Sequence, residues 1–91
     1  MLFALICHDS PEAPSLRQKL RDQHMAHLKP LIDRGAVLLG GPFTDGSGAL
    51  IVLDVENAQQ AQAVVDGDPF FKGGVFSHVE VKALRKVVPN P

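Results

Sequence analysis

The segment that most limits what this chain can become is Ser15 to Arg34, SLRQKLRDQHMAHLKPLIDR, the one stretch long and periodic enough to demand a helix. At about 100° per residue, Leu16, Leu20, Leu28 and Leu31 fall on one stripe, and His24 lies at its centre. An ionisable ring therefore stands where a leucine is expected. Arg17 projects along the same line and Arg21 sits at its edge one turn before His24, whereas His27 falls near the margin. Ser15 is placed to cap the first turn, and Gly35 to end the helix in a left-handed conformation. Pro30 cannot donate to the carbonyl of Ala26, so a bend is expected there, on the solvent side away from His24.

Such a helix needs a surface to cover, and the flanking segments read as a sheet. Leu2 to His8 is apolar on both faces, with Leu2, Ala4 and Ile6 on one and Phe3, Leu5 and Cys7 on the other, as in a central strand. Ala36 to Leu39 is a second strand that Gly40-Gly41-Pro42 interrupts, the pattern of an edge or a bulge. A turn at Thr44 to Gly48 joins it to a third strand, Ala49 to Val55. Asn57 can cap a second helix, Ala58 to Val65, which Gly67-Asp68-Pro69-Phe70-Phe71 ends. Val75 to Val88 closes the chain as a long strand, with Val75, Ser77, Val79, Val81 and Ala83 on one face and Phe76, His78, Glu80, Lys82 and Leu84 on the other.

The order β-α-β-β-α-β is the split plan of an α+β ferredoxin-like fold, a four-stranded antiparallel sheet with two helices on one face. With 91 residues the chain makes one domain, 1–91, and has nothing left to cover the second face of the sheet. If that face carries several of Phe3, Leu5, Ile51, Leu53, Phe76 and Leu84, burying them is worth on the order of 10 kcal/mol before association costs. A homodimer is expected.

Composition excludes more than it proposes. A net charge of −1, with no basic run longer than Arg85-Lys86, leaves no footprint for nucleic acid. No window approaches ~18 consecutive apolar residues and the first strand lacks the flanks of a signal peptide, so neither a membrane partner nor export is expected. The lone Cys7 fits a reducing, cytoplasmic setting, and its apolar neighbours mark it as a buried, inert thiol. The glycines of GGPFTDGSG lack the spacing of a phosphate loop and are explained by a hairpin.

These residues resemble the YciI-like (YCII-related) family, small proteins of the dimeric α+β barrel superfamily. The matching pieces run through nearly the whole chain: the opening LFALICHD, the RxxHxxxL pattern at Arg21, His24 and Leu28, the Gly41-Pro42 pair, the DPF at Asp68-Pro69-Phe70 and the closing GGVFSHVEVKALRKV. The resemblance implies a His-Asp dyad, at His24 and Asp68 by residue-by-residue match, in a cleft beside the sheet. It implies no particular substrate: characterised relatives in the wider superfamily include isomerases, dehalogenating lyases and monooxygenase-like enzymes acting on small cyclic or aromatic compounds.

A histidine paired with a carboxylate can act as a general base near neutral pH, because the carboxylate fixes its tautomer and stabilises the imidazolium that forms. That chemistry asks for no metal or cofactor. In the bland alternative Asp68 caps a turn beginning at Pro69 and His24 is a satisfied core histidine. His24 and His27, at i and i+3, with His8 could also be read as metal ligands, but no Cys or carboxylate cluster at ligand spacing joins them, and no metal site is assigned. Arg17 and Arg21 can hold a substrate carboxylate or phenolate. Gly41, Pro42 and Phe70, within the matched motifs, complete the candidate ligand contacts, and His78 is assigned to a subunit contact. The leading expectation is a small enzyme of lyase, dehalogenase or isomerase type acting on a small anionic cyclic compound. A non-catalytic binding or accessory module using the same cleft competes with it. Under either reading, His24→Leu is expected to leave the fold intact or firmer, since the ring's desolvation and its need for a partner vanish together.

Overall fold

In the computed structural model, which describes residues 1–91, the strand richest in apolar residues takes the centre of the sheet. This is β1 (Leu2–Asp9), hydrogen-bonded on one side to β3 (Gly48–Asp54) and on the other to β4 (Phe76–Leu84), with β2 (Val37–Pro42) outside β3. Every pairing is antiparallel and the order is β2-β3-β1-β4, the ferredoxin-like arrangement. The register sets Phe3, Leu5 and Cys7 opposite Leu53, Ile51 and Ala49 on one side and opposite Ala83, Val81 and Val79 on the other. Because facing residues of a ladder share a side of the sheet, these positions form one apolar surface. Helices α1 (Ala13–Asp33) and α2 (Ala58–Gly67) cover it with Leu28, Leu31, Ala61 and Val65. A single turn, α3 (Pro69–Lys72), follows α2 and adds Phe70 to the same core.

The helical stripe is where the spacing puts it. Leu28 and Leu31 are buried, Leu16 and Leu20 pack against the core, and Pro30 lies on the exposed side of α1. Gly35 has φ +77°, the left-handed stop expected of it. The start of α1 differs from the expectation. Proline is compatible with a first turn, so the helix begins at Ala13 with Pro14 inside that turn and Glu12 at the cap position. Ser15 is not the cap; its hydroxyl donates to the Glu12 carbonyl.

Three strand expectations are corrected as well. Gly40-Gly41-Pro42 does not interrupt β2 but forms its second half, tolerated because β2 is an edge strand, and the irregularity falls between Val37 and Leu39. β4 ends at Leu84, because its partner β1 ends at Leu2. A register shift at His8/Asp9 pairs Asp9 with Phe76, which turns Phe76 into the core instead of leaving it beside His78 and Glu80.

The uncovered face therefore differs from the one expected. Phe3, Leu5, Ile51, Leu53 and Phe76 lie under the helices, and only Leu84 of that set is on the open side. The open side instead carries Leu2, Ala4, Ile6, Leu39, Leu50, Val52 and Leu84, mixed with His8, Asp54, His78, Glu80 and Lys82. β1 alternates as its sequence predicts, but a strand so apolar on both sides carries no signal for which face the helices cover, and they cover the face of Phe3, Leu5 and Cys7.

Candidate active site

Of the buried residues only two are polar or charged, His24 and Asp68, and they are bonded to each other. The Nδ1 N–H of His24 donates to Oδ1 of Asp68 at 2.7 Å. Such a pair is stable inside a protein only if its remaining needs are met. Asp68 meets one of them as the N-cap of α3, where the same Oδ1 accepts the Phe70 N–H at 2.9 Å. The capping and pairing readings of Asp68 thus hold together.

The tripeptide Asp68-Pro69-Phe70 supplies both neighbours of the histidine. Proline presets the first turn of α3, Asp68 reaches back to the ring, and the Phe70 ring stacks parallel on His24 with centroids 3.8 Å apart. Phe76 meets Phe70 edge-on at 5.7 Å and braces it. Nδ1 is committed to a carboxylate, so the neutral ring presents a lone pair at Nε2. That nitrogen has no partner within the chain and is not sealed from solvent.

His24 lines a cleft of about 600 Å³ between α1 and the β2 side of the sheet. Arg17, Arg21, Gly41, Pro42 and Phe70 line the same cleft, so the structure brings together every candidate ligand contact read from the sequence. Asp68 does not line it; it stands behind His24. Half of the lining is hydrophobic, with Met25 and Ile32 from α1 and Ile51 from β3 among it, and Gly40 and Gly41 of β2 add backbone to the far wall beside Val37 and Pro42. At one end Arg17 forms an ion pair with Asp9 and lies 5.8 Å from the Phe70 centroid and 5.7 Å from that of Phe76. Its Nη2 is buried without a partner, as is the second oxygen of Asp9.

Asp9 and Phe76 were missed. Asp9 lies eight residues from Arg17 across a proline-containing loop, a spacing that carries no local signal. Phe76 was hidden by the bulge that moves it to the other face.

The histidines outside the cleft are used differently. His27 donates Nε2–H to the Val64 carbonyl at 2.8 Å and ties α1 to α2. His8 lies on the open face with His78 and Glu80, so His8, His24 and His27 are not brought together. Cys7 is buried at the sheet centre, and desolvation, reinforced by the charge of Asp68, pushes its thiol up to about 12. That is the opposite of what a nucleophile needs. No helix is long and apolar enough to cross a membrane.

Comparison with known proteins agrees with the fold. The family model described as the YCII-related domain matches residues 1–85. Protein YciI of Escherichia coli O6:H1 is 31% identical over 97 residues, covering 96% of this chain and 99% of the relative, and protein YciI of Shigella flexneri matches equally. Among solved structures, 5-chloro-2-hydroxyhydroquinone dehydrochlorinase from Burkholderia phenoliruptrix AC1100, in complex with 2,5-dihydroxybenzoquinone, is similar with a TM-score of 0.85 and 26% identity, each chain covered completely.

Proposed function

The chain belongs to the YCII-related family, and from that footing we propose that it is a small enzyme in which a His24–Asp68 dyad performs general acid/base chemistry, of lyase, dehalogenase or isomerase type, on a small anionic cyclic compound. The observation that carries this reading is the 2.7 Å bond from Nδ1 of His24 to a buried carboxylate, with Nε2 left free on a ring that lines a cleft. In the proposed reaction Nε2 takes a proton from a hydroxyl or an acidic C–H of the substrate, and Asp68 stabilises the imidazolium that results. The electron pair left on the substrate is drawn toward a ring oxygen whose charge the Arg17 and Arg21 guanidiniums offset. The proton then returns at another carbon in an isomerisation, or a leaving group departs with its electron pair in an elimination. The Arg17 and Arg21 guanidiniums and the flat ring of Phe70 in the cleft lining favour a planar, oxygen-rich ring as the ligand.

The same proposal has the protein working in the cytoplasm as a homodimer, a second copy covering the open face with its exposed Leu39 and Leu84. Light scattering at twice the 9.8 kDa chain mass is the expected result, and a monomer at micromolar concentration overturns the dimer.

The functional reading is tested by following, by ultraviolet absorbance, a panel of hydroxylated and halogenated phenols, quinones and cyclic carboxylic acids with the parent protein and His24→Gln. Turnover of a panel member that the variant lacks supports the enzyme. Saturable binding without turnover by either protein establishes the binding module in its place.

A further inference from the structure

The second group of chemistry-bearing residues lies on the opposite side of the sheet from the cleft. His78 and Glu80 stand at i and i+2 on β4, so both point to the open face, and His8 faces His78 directly across the β1–β4 ladder. The two imidazoles are stacked with centroids 4.1 Å apart, and His8 Nε2 lies 2.6 Å from Glu80 Oε2. One donor atom from each of the three residues falls within 4.8 Å of the others.

We propose that His8, His78 and Glu80 form a binding site for a divalent transition-metal ion of the zinc, nickel or copper type. Two imidazoles and a carboxylate are the ligand set such ions favour, and soft thiolates are not required. With metal–ligand distances of about 2.0–2.1 Å, tetrahedral geometry sets donors about 3.4 Å apart. The present spacing therefore needs only small shifts of side chains, the His8–Glu80 pair spreading from 2.6 Å and the others closing from within 4.8 Å, while the backbone ladder holds their Cα atoms in register. Ser77 supplies the orienting contact that metal-bound histidines use. Its hydroxyl donates to the His8 carbonyl at 3.2 Å, and its oxygen lies 3.3 Å from His78 Nδ1. A proton on that Nδ1 leaves Nε2 of His78 as the free ligand. The short His8–Glu80 contact is where the metal replaces a proton. The fourth position is filled by water or, where a second copy covers this face, by a donor of that copy. The site shares no residue with the cleft and does not depend on the function proposed for it.

Titration of the intact protein with Co²⁺, followed by its visible absorption, and with Zn²⁺ by calorimetry tests this. One ion per chain with a tetrahedral cobalt spectrum is expected. His8→Ala and His78→Ala are expected to abolish the spectrum while melting close to the parent, and Ser77→Ala to weaken binding about tenfold. His24→Gln is expected to bind cobalt like the parent. Absence of binding, or binding that survives His8→Ala and His78→Ala, overturns the site, and binding lost in His24→Gln reassigns the ion to the cleft.

Discussion

Replacing Asp68 with alanine removes two bonds that share one oxygen, and the cost can be worked from each. Losing the cap on the Phe70 N–H costs about 1 kcal/mol, as for other aspartate N-caps. The His24 Nδ1–H then faces an apolar interior with no acceptor, a penalty of about 1–3 kcal/mol for a buried donor. Both groups are buried, so solvent does not screen the loss. The sum, about 2–4 kcal/mol, is a large part of the 5–15 kcal/mol that holds a domain of this size. At about 4–8 °C per kcal/mol, Asp68→Ala is expected to melt at least about 8 °C below the parent. Asp68→Asn keeps an amide oxygen where both donors need it and is expected to stay within about 1 kcal/mol of the parent. His24→Leu leaves Asp68 its cap but takes away its charged-state donor, so a net loss of about 1–2 kcal/mol replaces the neutrality expected from sequence. The double variant Asp68→Ala/His24→Leu should lose less than the sum of the singles by about 1–3 kcal/mol, the coupling of one shared bond. Urea and thermal unfolding at one fixed protein concentration read all four. An Asp68→Asn protein as unstable as Asp68→Ala, or strictly additive singles, would refute the shared-oxygen argument.

Other consequences are as specific. Arg17→Met leaves Asp9 with two unpaired oxygens in a partly buried place, so a destabilised fold is expected, largely restored by adding Asp9→Asn; chemical denaturation that finds no rescue removes the pair from the account. At Gly48 a Cβ would lie 1.8 Å from the Cys7 carbonyl oxygen, so Gly48→Ala must push β3 away from β1 and is expected to unfold well below the parent or not to fold, as circular dichroism would show. The Cys7 thiol titrates near 12 in the fold against 9.0 for a free thiol, so above about pH 9 the unfolded chain binds fewer protons and stability falls by about 1.4 kcal/mol per pH unit. Comparing the parent with Cys7→Ala isolates that slope; identical pH dependence, or rapid alkylation of the native thiol at pH 8, contradicts its burial.

Periodicity made the long helix, both central strands and the ferredoxin-like order legible, because each repeats over enough residues to outweigh local exceptions. His24 stood out for the same reason: a titratable ring at the centre of an apolar stripe is a local inconsistency, and such inconsistencies mark sites. Its partner was legible only through the resemblance of the DPF motif, since 44 residues separate His24 from Asp68 and no spacing rule spans them. Where a one-residue event decides the outcome, the pattern failed. The bulge at His8/Asp9 turned Phe76 inward, and β1, apolar on both sides, gave no clue to which face the helices would choose. The grouping of His8 with His78 and Glu80 was also out of reach, because it depends on the cross-strand register and not on either strand alone.

The central claim is that His24 holds its proton on Nδ1 for Asp68 and turns Nε2 to a ligand. Long-range ¹H–¹⁵N spectra of imidazole-labelled protein read this directly, with a compound that the panel of phenols, quinones and cyclic carboxylic acids shows to bind as the added ligand. The account predicts an Nδ1–H tautomer for His24 in the neutral ring, and an Nε2 resonance that moves on adding the compound while His27 stays fixed. A neutral ring protonated on Nε2, or a His24 signal indifferent to saturating ligand, would contradict it.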